Sequence, residues 1–137
     1  MCRDYKMARL SVHNDDIIKV MKTIIKNIDK NQLDTEIIAE AGEILEKGGL
    51  VAFPTETVYG LGANALNEEA ARTPYEAKGR PSDNPLIVHI AAIQALDEIV
   101  EFIPDKATSI VEKFWPGTMT LIFDKSGVVP IGTTGDM

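Results

Sequence analysis

Asp34-Thr-Glu-Ile-Ile-Ala-Glu-Ala-Gly-Glu-Ile-Leu-Glu-Lys-Gly-Gly-Leu-Val-Ala-Phe-Pro54 sets a helix directly before a strand. Asp34 or Thr35 offers a side-chain oxygen to a free backbone N–H at the helix start. Ile37, Ile38, Ala41, Ile44 and Leu45 recur at helical spacing and give one apolar face. Gly48-Gly49 ends the helix, because glycine tolerates the left-handed turn after the last helical residue. Leu50-Val-Ala-Phe53 then reads as a short buried strand, stopped by Pro54.

The alternation continues downstream. Asn67 caps a second helix over about 68–77, with Glu68 and Glu69 in the first turn favouring the helix dipole. Pro74 falls inside that pattern, removes a backbone donor and is expected to kink or shorten the helix. Pro85-Leu-Ile-Val-His-Ile90 reads as a strand. Ala92 to about Phe102 and Asp105 to about Phe114 read as two scaffold helices, with Ile93, Leu96, Ile99, Val100, Ile110, Val111 and Phe114 facing in. Trp115-Pro-Gly117 is a turn, and Thr118-Met-Thr-Leu-Ile-Phe123 reads as a third strand. Upstream, Met21-Lys-Thr-Ile-Ile-Lys-Asn-Ile28 reads as a short strand, and residues 1–20 as a loosely ordered tail or short helix. Strands alternating with helices predict an α/β or α+β fold.

Length and composition bound the function. A chain of 137 residues suggests one domain. No apolar run approaches the roughly 18 residues of a membrane span. Met1-Cys-Arg-Asp-Tyr-Lys6 lacks the apolar stretch of a signal peptide. Cys2 is the only cysteine, which excludes a disulfide or a Cys-based metal site and fits a reducing, cytoplasmic setting. A net charge of -7 argues against a general nucleic-acid binder, yet leaves room for a small positive pocket.

Four segments carry candidate chemistry. Phe53-Pro-Thr-Glu-Thr-Val-Tyr-Gly-Leu-Gly62 combines hydroxyls, a carboxylate and two glycines that permit a tight bend or a close ligand approach. It matches neither the dinucleotide fingerprint nor the Walker loop, and a structural turn accounts for it equally well. Lys78-Gly-Arg-Pro-Ser-Asp-Asn-Pro85 sets two cations two residues apart in a loop stiffened by proline, a plausible phosphate clamp. Asn84 could orient an anion or base through its amide. On spacing alone, a solvated basic turn is the slightly better account. His89 ends an apolar strand, where a lone histidine is more often packed than functional. No second histidine or carboxylate stands at metal-ligand spacing and His13 is in the leader, so no transition-metal site is read. Trp115 reads as a core or pocket-wall residue whose indole N–H needs a partner if buried.

Taken in register, Gly48–Gly62, Lys78–His89, Trp115-Pro-Gly117 and Thr120 resemble the Sua5/YrdC/YciO family over about 36–136. Each stretch is weak alone; three in order are specific. The resemblance implies a twisted, mixed, open sheet with flanking helices and a positive cavity, the YrdC/RibB-like fold. It implies a threonylcarbamoyl-AMP synthase activity, a nucleotidyltransferase reaction in which L-threonine, bicarbonate and ATP give threonylcarbamoyl-AMP and pyrophosphate. The product serves N6-threonylcarbamoyladenosine formation at position 37 of tRNA. By the same resemblance, Lys78 and Arg80 match the family's K-x-R, Arg80 and Asn84 match ATP contacts, and Thr57 and His89 match the threonine pocket. Mg²⁺ is expected on the ATP, and tRNA and other proteins of the modification pathway are implied partners.

The implied division is a leader and first strand over 1–33 and a YrdC-like domain over 34–137, incomplete at its C-terminus. The family's later S-x-N segment, and a later Thr and Arg that contact ligands, find no match in this sequence. The expectation is therefore that these 137 residues alone are a weak or inactive enzyme. Pro74 stands where the family usually has an apolar residue. Two further readings compete with this one. A double-stranded-RNA or tRNA-binding module without catalysis would show steeply salt-dependent RNA binding. A carbamoyl-transfer domain of hydrogenase-maturation type would bring zinc-finger cysteines, and one Cys argues against it.

Overall fold

A computed structural model of the chain describes residues 5–10, 23–29, 31–82 and 84–135. Four strands form one sheet in the order β2-β1-β3-β4. They are β1 (Tyr5–Leu10), β2 (Ile24–Ile28), β3 (Leu50–Pro54) and β4 (Tyr59–Gly62). The α/β class stands. The expected sheet was mixed; the ladders among the described residues are all antiparallel. The helices are α1 (Thr35–Glu46), α2 (Glu68–Lys78), α3 (Leu96–Ile99, after a 3-10 turn Ile93–Ala95), α4 (Asp105–Phe114) and α5 (Ile131–Thr134).

Residues 5–10 were expected in a tail or short helix. They are instead an inner strand, pairing Ala8 with Ile25 on one side and with Ala52 on the other. Two ladders of backbone hydrogen bonds outweigh a weak local pattern here. The rest of the predicted tail, with Cys2 and His13, lies outside the described residues, as does Met21 of the predicted upstream strand.

The helix-to-strand stretch folds as its spacing dictates. The Asp34 carboxylate accepts from the N–H groups of Glu36 and Ile37 at 3.0 and 3.1 Å. Gly48 takes φ +79° just past the helix, where a side chain would be strained. Ala41 and Ile44 of α1 close over Val51 of β3, with Leu45 beside them. Ile38 falls off the buried stripe and is exposed.

Pro74 neither stops nor shortens α2, which runs from Glu68 to Lys78. An α-helix would use the N–H of residue 74 to satisfy the Ala70 carbonyl, and proline has none. The Thr73 hydroxyl donates to that carbonyl at 2.7 Å. The Pro74 ring is buried with Ala70, Ala71 and Tyr75 on the inner face of the helix. The lost bond is thus replaced one residue earlier.

Other expected elements change. Residues 85–90 and 118–123 are not strands; among the described residues neither stretch enters a ladder. Apolar alternation gives strand propensity, but a strand also needs a partner backbone, and Ile87 and Ile122 stand exposed. The helix expected over 92–102 shrinks to a 3-10 turn and one turn of α-helix. Val100 instead bridges to Lys125. Leu96 and Val111 are buried as expected, whereas Ile93, Ile110 and Phe114 are exposed. The Trp115 indole N–H finds its partner in the Met119 carbonyl at 2.8 Å.

Thr73→Val is expected to destabilise the chain by about 1–2 kcal/mol, the cost of an unsatisfied carbonyl, with Thr73→Ser near neutral. In a Pro74→Ala background, which restores the donor, the same change should cost little. Urea midpoints measure this; equal midpoints for Thr73→Val and the unmodified chain would contradict it.

Candidate functional site

Lys78 is the last residue of α2, so its cation sits at the negative end of the helix dipole. Gly79 follows in the left-handed conformation, φ 60° and ψ 36°. Its N–H donates to the Glu76 carbonyl at 3.2 Å, and the Arg80 N–H to the Tyr75 carbonyl at 3.0 Å. A Cβ on Gly79 would meet nothing within 4 Å, so glycine is required there by backbone angle, not by space. This reversal turns the chain off the helix axis and delivers Arg80 to a cleft of about 510 Å³. Arg72, Glu76, Ser82, Gly132 and Gly135 are among its other walls.

The cations of this cleft are not equivalent. Arg72 donates from Nη2 and Nε to one Glu68 carboxylate oxygen at 2.6 and 3.2 Å. The other Glu68 oxygen accepts the Gly132 N–H at 3.0 Å. The Gly132 N–H first, and Arg72 second, hold the Glu68 carboxyl below the usual carboxylate range. Arg72 is thereby committed to Glu68. Among the described residues, neither Lys78 nor Arg80 has an ion-pair partner. Both are exposed.

Asn84 stands behind this turn, its carbonyl accepting the Tyr75 hydroxyl. Asp83, also part of the predicted motif, lies outside the described residues. Arg80 lines the cleft, whereas Lys78 and Asn84 are not among its walls; each is joined in sequence or by contact to a wall residue, Gly79 and Gly135 respectively.

Thr57 and His89 do not line this cleft. Thr57 is exposed in the turn that joins β3 to β4. Thr55 closes that turn: its N–H donates to the Val58 carbonyl at 3.1 Å, and its hydroxyl donates to the same oxygen. Residues 54–62, expected as a loop, instead close a β3–β4 hairpin. The apolar Val58, Tyr59 and Leu61 carried a weak strand signal that the glycines masked. The structure also gives those glycines a different purpose. A Cβ on Gly60 or Gly62 would lie 2.9 Å from the Phe53 ring. They make room for Phe53, whose ring meets His89 edge-on at 5.5 Å and 76°. Phe53 thus connects His89 to the hairpin that carries Thr57, a role that residue types alone did not reveal. No group of three His, Cys, Asp or Glu side chains suited to a metal occurs among the described residues. No described helix is long and apolar enough to cross a membrane.

A helix-end Lys-Gly-Arg turn at a cleft walled by Arg72 and Arg80 marks this α/β protein. Residues 43–136 match the Sua5/YciO/YrdC family, described as "Telomere recombination". The chain belongs to this family. It is 52% identical over 115 residues to a threonylcarbamoyl-AMP synthase of Pyrococcus abyssi, covering 84% of this chain and 34% of that protein. It is 50% identical over 105 residues to a threonylcarbamoyl-AMP synthase of Bacillus subtilis, covering 77% and 30%. A crystal structure of Pyrococcus abyssi Sua5 complexed with L-threonine superposes with a TM-score of 0.74 at 50% identity, over 77% of this chain and 31% of that one. The chain therefore spans about a third of the length of these curated relatives.

Gly62→Ala is expected to push the Phe53 ring away and destabilise the chain by about 1–3 kcal/mol, the usual cost of overpacking. Phe53→Leu in the same chain should recover much of that loss. Thermal unfolding of the two single variants and the double variant checks it; additive losses would contradict the contact.

Proposed function

We propose that this chain supplies the ATP- and threonine-handling part of a threonylcarbamoyl-AMP synthase. One observation carries the reading: the Lys78–Arg80 turn, without an ion-pair partner among the described residues, and its cleft lie within the segment matched by the family. The names of the relatives and the threonine complex of the Pyrococcus abyssi protein support it. In this reading Arg80 and Asn84 contact ATP, Lys78 adds a mobile charge at the phosphates, and Thr57 and His89 line the threonine pocket.

The chemistry suits those residue types. The threonine amine attacks the bicarbonate carbon, a C–N bond forms, and water leaves to give a carbamate. A carbamate oxygen then attacks the α-phosphorus, and the bond to the β-phosphate breaks with release of pyrophosphate. Negative charge accumulates on the phosphate oxygens during that displacement. Cations already in place stabilise it without reorganising. Holding carbamate and ATP together supplies a further share of the acceleration by proximity. ATP is expected to arrive with Mg²⁺ carried on its own phosphates. The product is expected to serve tRNA modification in the cytoplasm, with proteins of that pathway as partners.

Titration calorimetry of this chain with ATP and with L-threonine tests the assignment. Arg80→Ala is expected to weaken ATP binding about tenfold or more, since a charge-assisted contact contributes about 1.5–3 kcal/mol. Lys78→Ala should weaken it less, as a more mobile point charge. L-Threonine affinity should stay within about twofold in both. Unchanged ATP binding in the double variant would overturn the site. RNA binding that falls steeply with salt, without any ATP binding, would favour an RNA-binding module instead.

A further inference from the structure

The turn at 131–135 is tied to α2 and to the Asn84 segment by bonds that no surface loop requires. Thr133 is buried at 2% exposure, and its hydroxyl donates to the Ala65 carbonyl at 2.7 Å. Its own carbonyl accepts the Leu86 N–H at 2.8 Å. The Gly132 N–H reaches Glu68 on the first turn of α2. Gly135 then turns left-handed at φ +65° and faces the Asn84–Pro85 peptide with no room for a side chain. A Cβ there would lie 2.9 Å from the Asn84 carbonyl carbon and 3.1 Å from the Pro85 nitrogen. From the other direction, the Tyr75 hydroxyl holds the Asn84 carbonyl.

The Asn84 peptide is therefore gripped between two elements far apart in the sequence. Neither face has slack: one is a hydrogen bond, the other a contact too close for any side chain. Rigid backbone contacts of this kind fix where the attached side chain stands, and small displacements of a binding group cost affinity.

We infer that the Ile131–Gly135 turn is a positioning element for Asn84, with Gly135 setting the place of its peptide and Thr133 locking the turn. The inference rests on the reading of Asn84 as an ATP contact. Thr133 is not a wall of the cleft and acts through the Leu86 N–H that its carbonyl accepts; Gly135 is a wall of the cleft and also backs the Asn84–Pro85 peptide.

Gly135→Ala alone would confuse positioning with the general strain of a left-handed alanine. Gly48→Ala provides the control. Gly48 also has positive φ, +79°, but its Cβ would meet only the Ala70 Cβ, at an ordinary 3.9 Å. Titration of ATP and L-threonine against the 137-residue chain is then run with Gly135→Ala, Gly48→Ala, Thr133→Val, Thr133→Ser and Asn84→Ala. Gly135→Ala is expected to raise the ATP Kd about tenfold, to leave the L-threonine Kd within twofold, and to exceed any effect of Gly48→Ala. Thr133→Val should act in the same direction, and Thr133→Ser, which keeps the hydroxyl, should restore binding. Equal losses in Gly135→Ala and Gly48→Ala, or an ATP Kd unmoved by Gly135→Ala, would overturn the positioning role. If Asn84→Ala leaves ATP binding intact while Arg80→Ala weakens it, the positioning role falls and the phosphate cleft stands. If the unmodified chain binds no ATP, the functional reading itself fails and takes the positioning role with it.

Discussion

The inner face of α2 is the constraint on which the site depends. Ala70, Ala71, Pro74 and Tyr75 are buried on it, and the helix packs against both β3 and α5. Two alanines keep that face flat, so the sheet and the 131–135 turn both come close. Pro74 adds apolar volume without breaking the helix, because the Thr73 hydroxyl serves the orphaned carbonyl. Tyr75 carries the constraint outward, its hydroxyl ending on the Asn84 carbonyl. The last turn of the same helix delivers Lys78 and, through left-handed Gly79, Arg80. One helix thus fixes the cations on its end and the loop that returns past them.

Charge is used selectively around that helix. Glu68 receives a backbone N–H and Arg72 together, which leaves Arg72 neutralised within the scaffold. Lys78 and Arg80 have no such partner among the described residues. The chain carries a net charge of -7, so these cations form a local exception in a negative field. Such an arrangement favours a bound polyanion over a long phosphate backbone, since the positive surface is short. This agrees with the proposed nucleotide site.

Much of the fold was legible because its signals are local. The Asp34 cap, the α1 stripe ending at Gly48 and the strand at Leu50–Phe53 each follow from neighbouring residues. The Asn67 cap and the end of α2 were legible for the same reason. What was not legible depends on partners distant in sequence. Strand β1 is specified by ladders to β2 and β3 and not by its own residues. The stretches at 85–90 and 118–123 have strand-like composition, but composition cannot supply a partner backbone. Within the site, the Lys78–Arg80 pair showed in the sequence as two cations at a glycine. Phe53 beneath His89, and Gly135 against Asn84, could not be read, because each is a contact made only by folding.

On the proposed reading, ATP occupies the cleft at the end of α2. Backbone amide shifts of the labelled chain, followed by NMR during addition of ATP, test it most directly. The largest changes are expected at Gly79–Ser82 and at Gly132–Gly135, with Thr57 and His89 responding to L-threonine instead. Changes centred on the β2 edge of the sheet, or no saturable change at the α2 end, would contradict it.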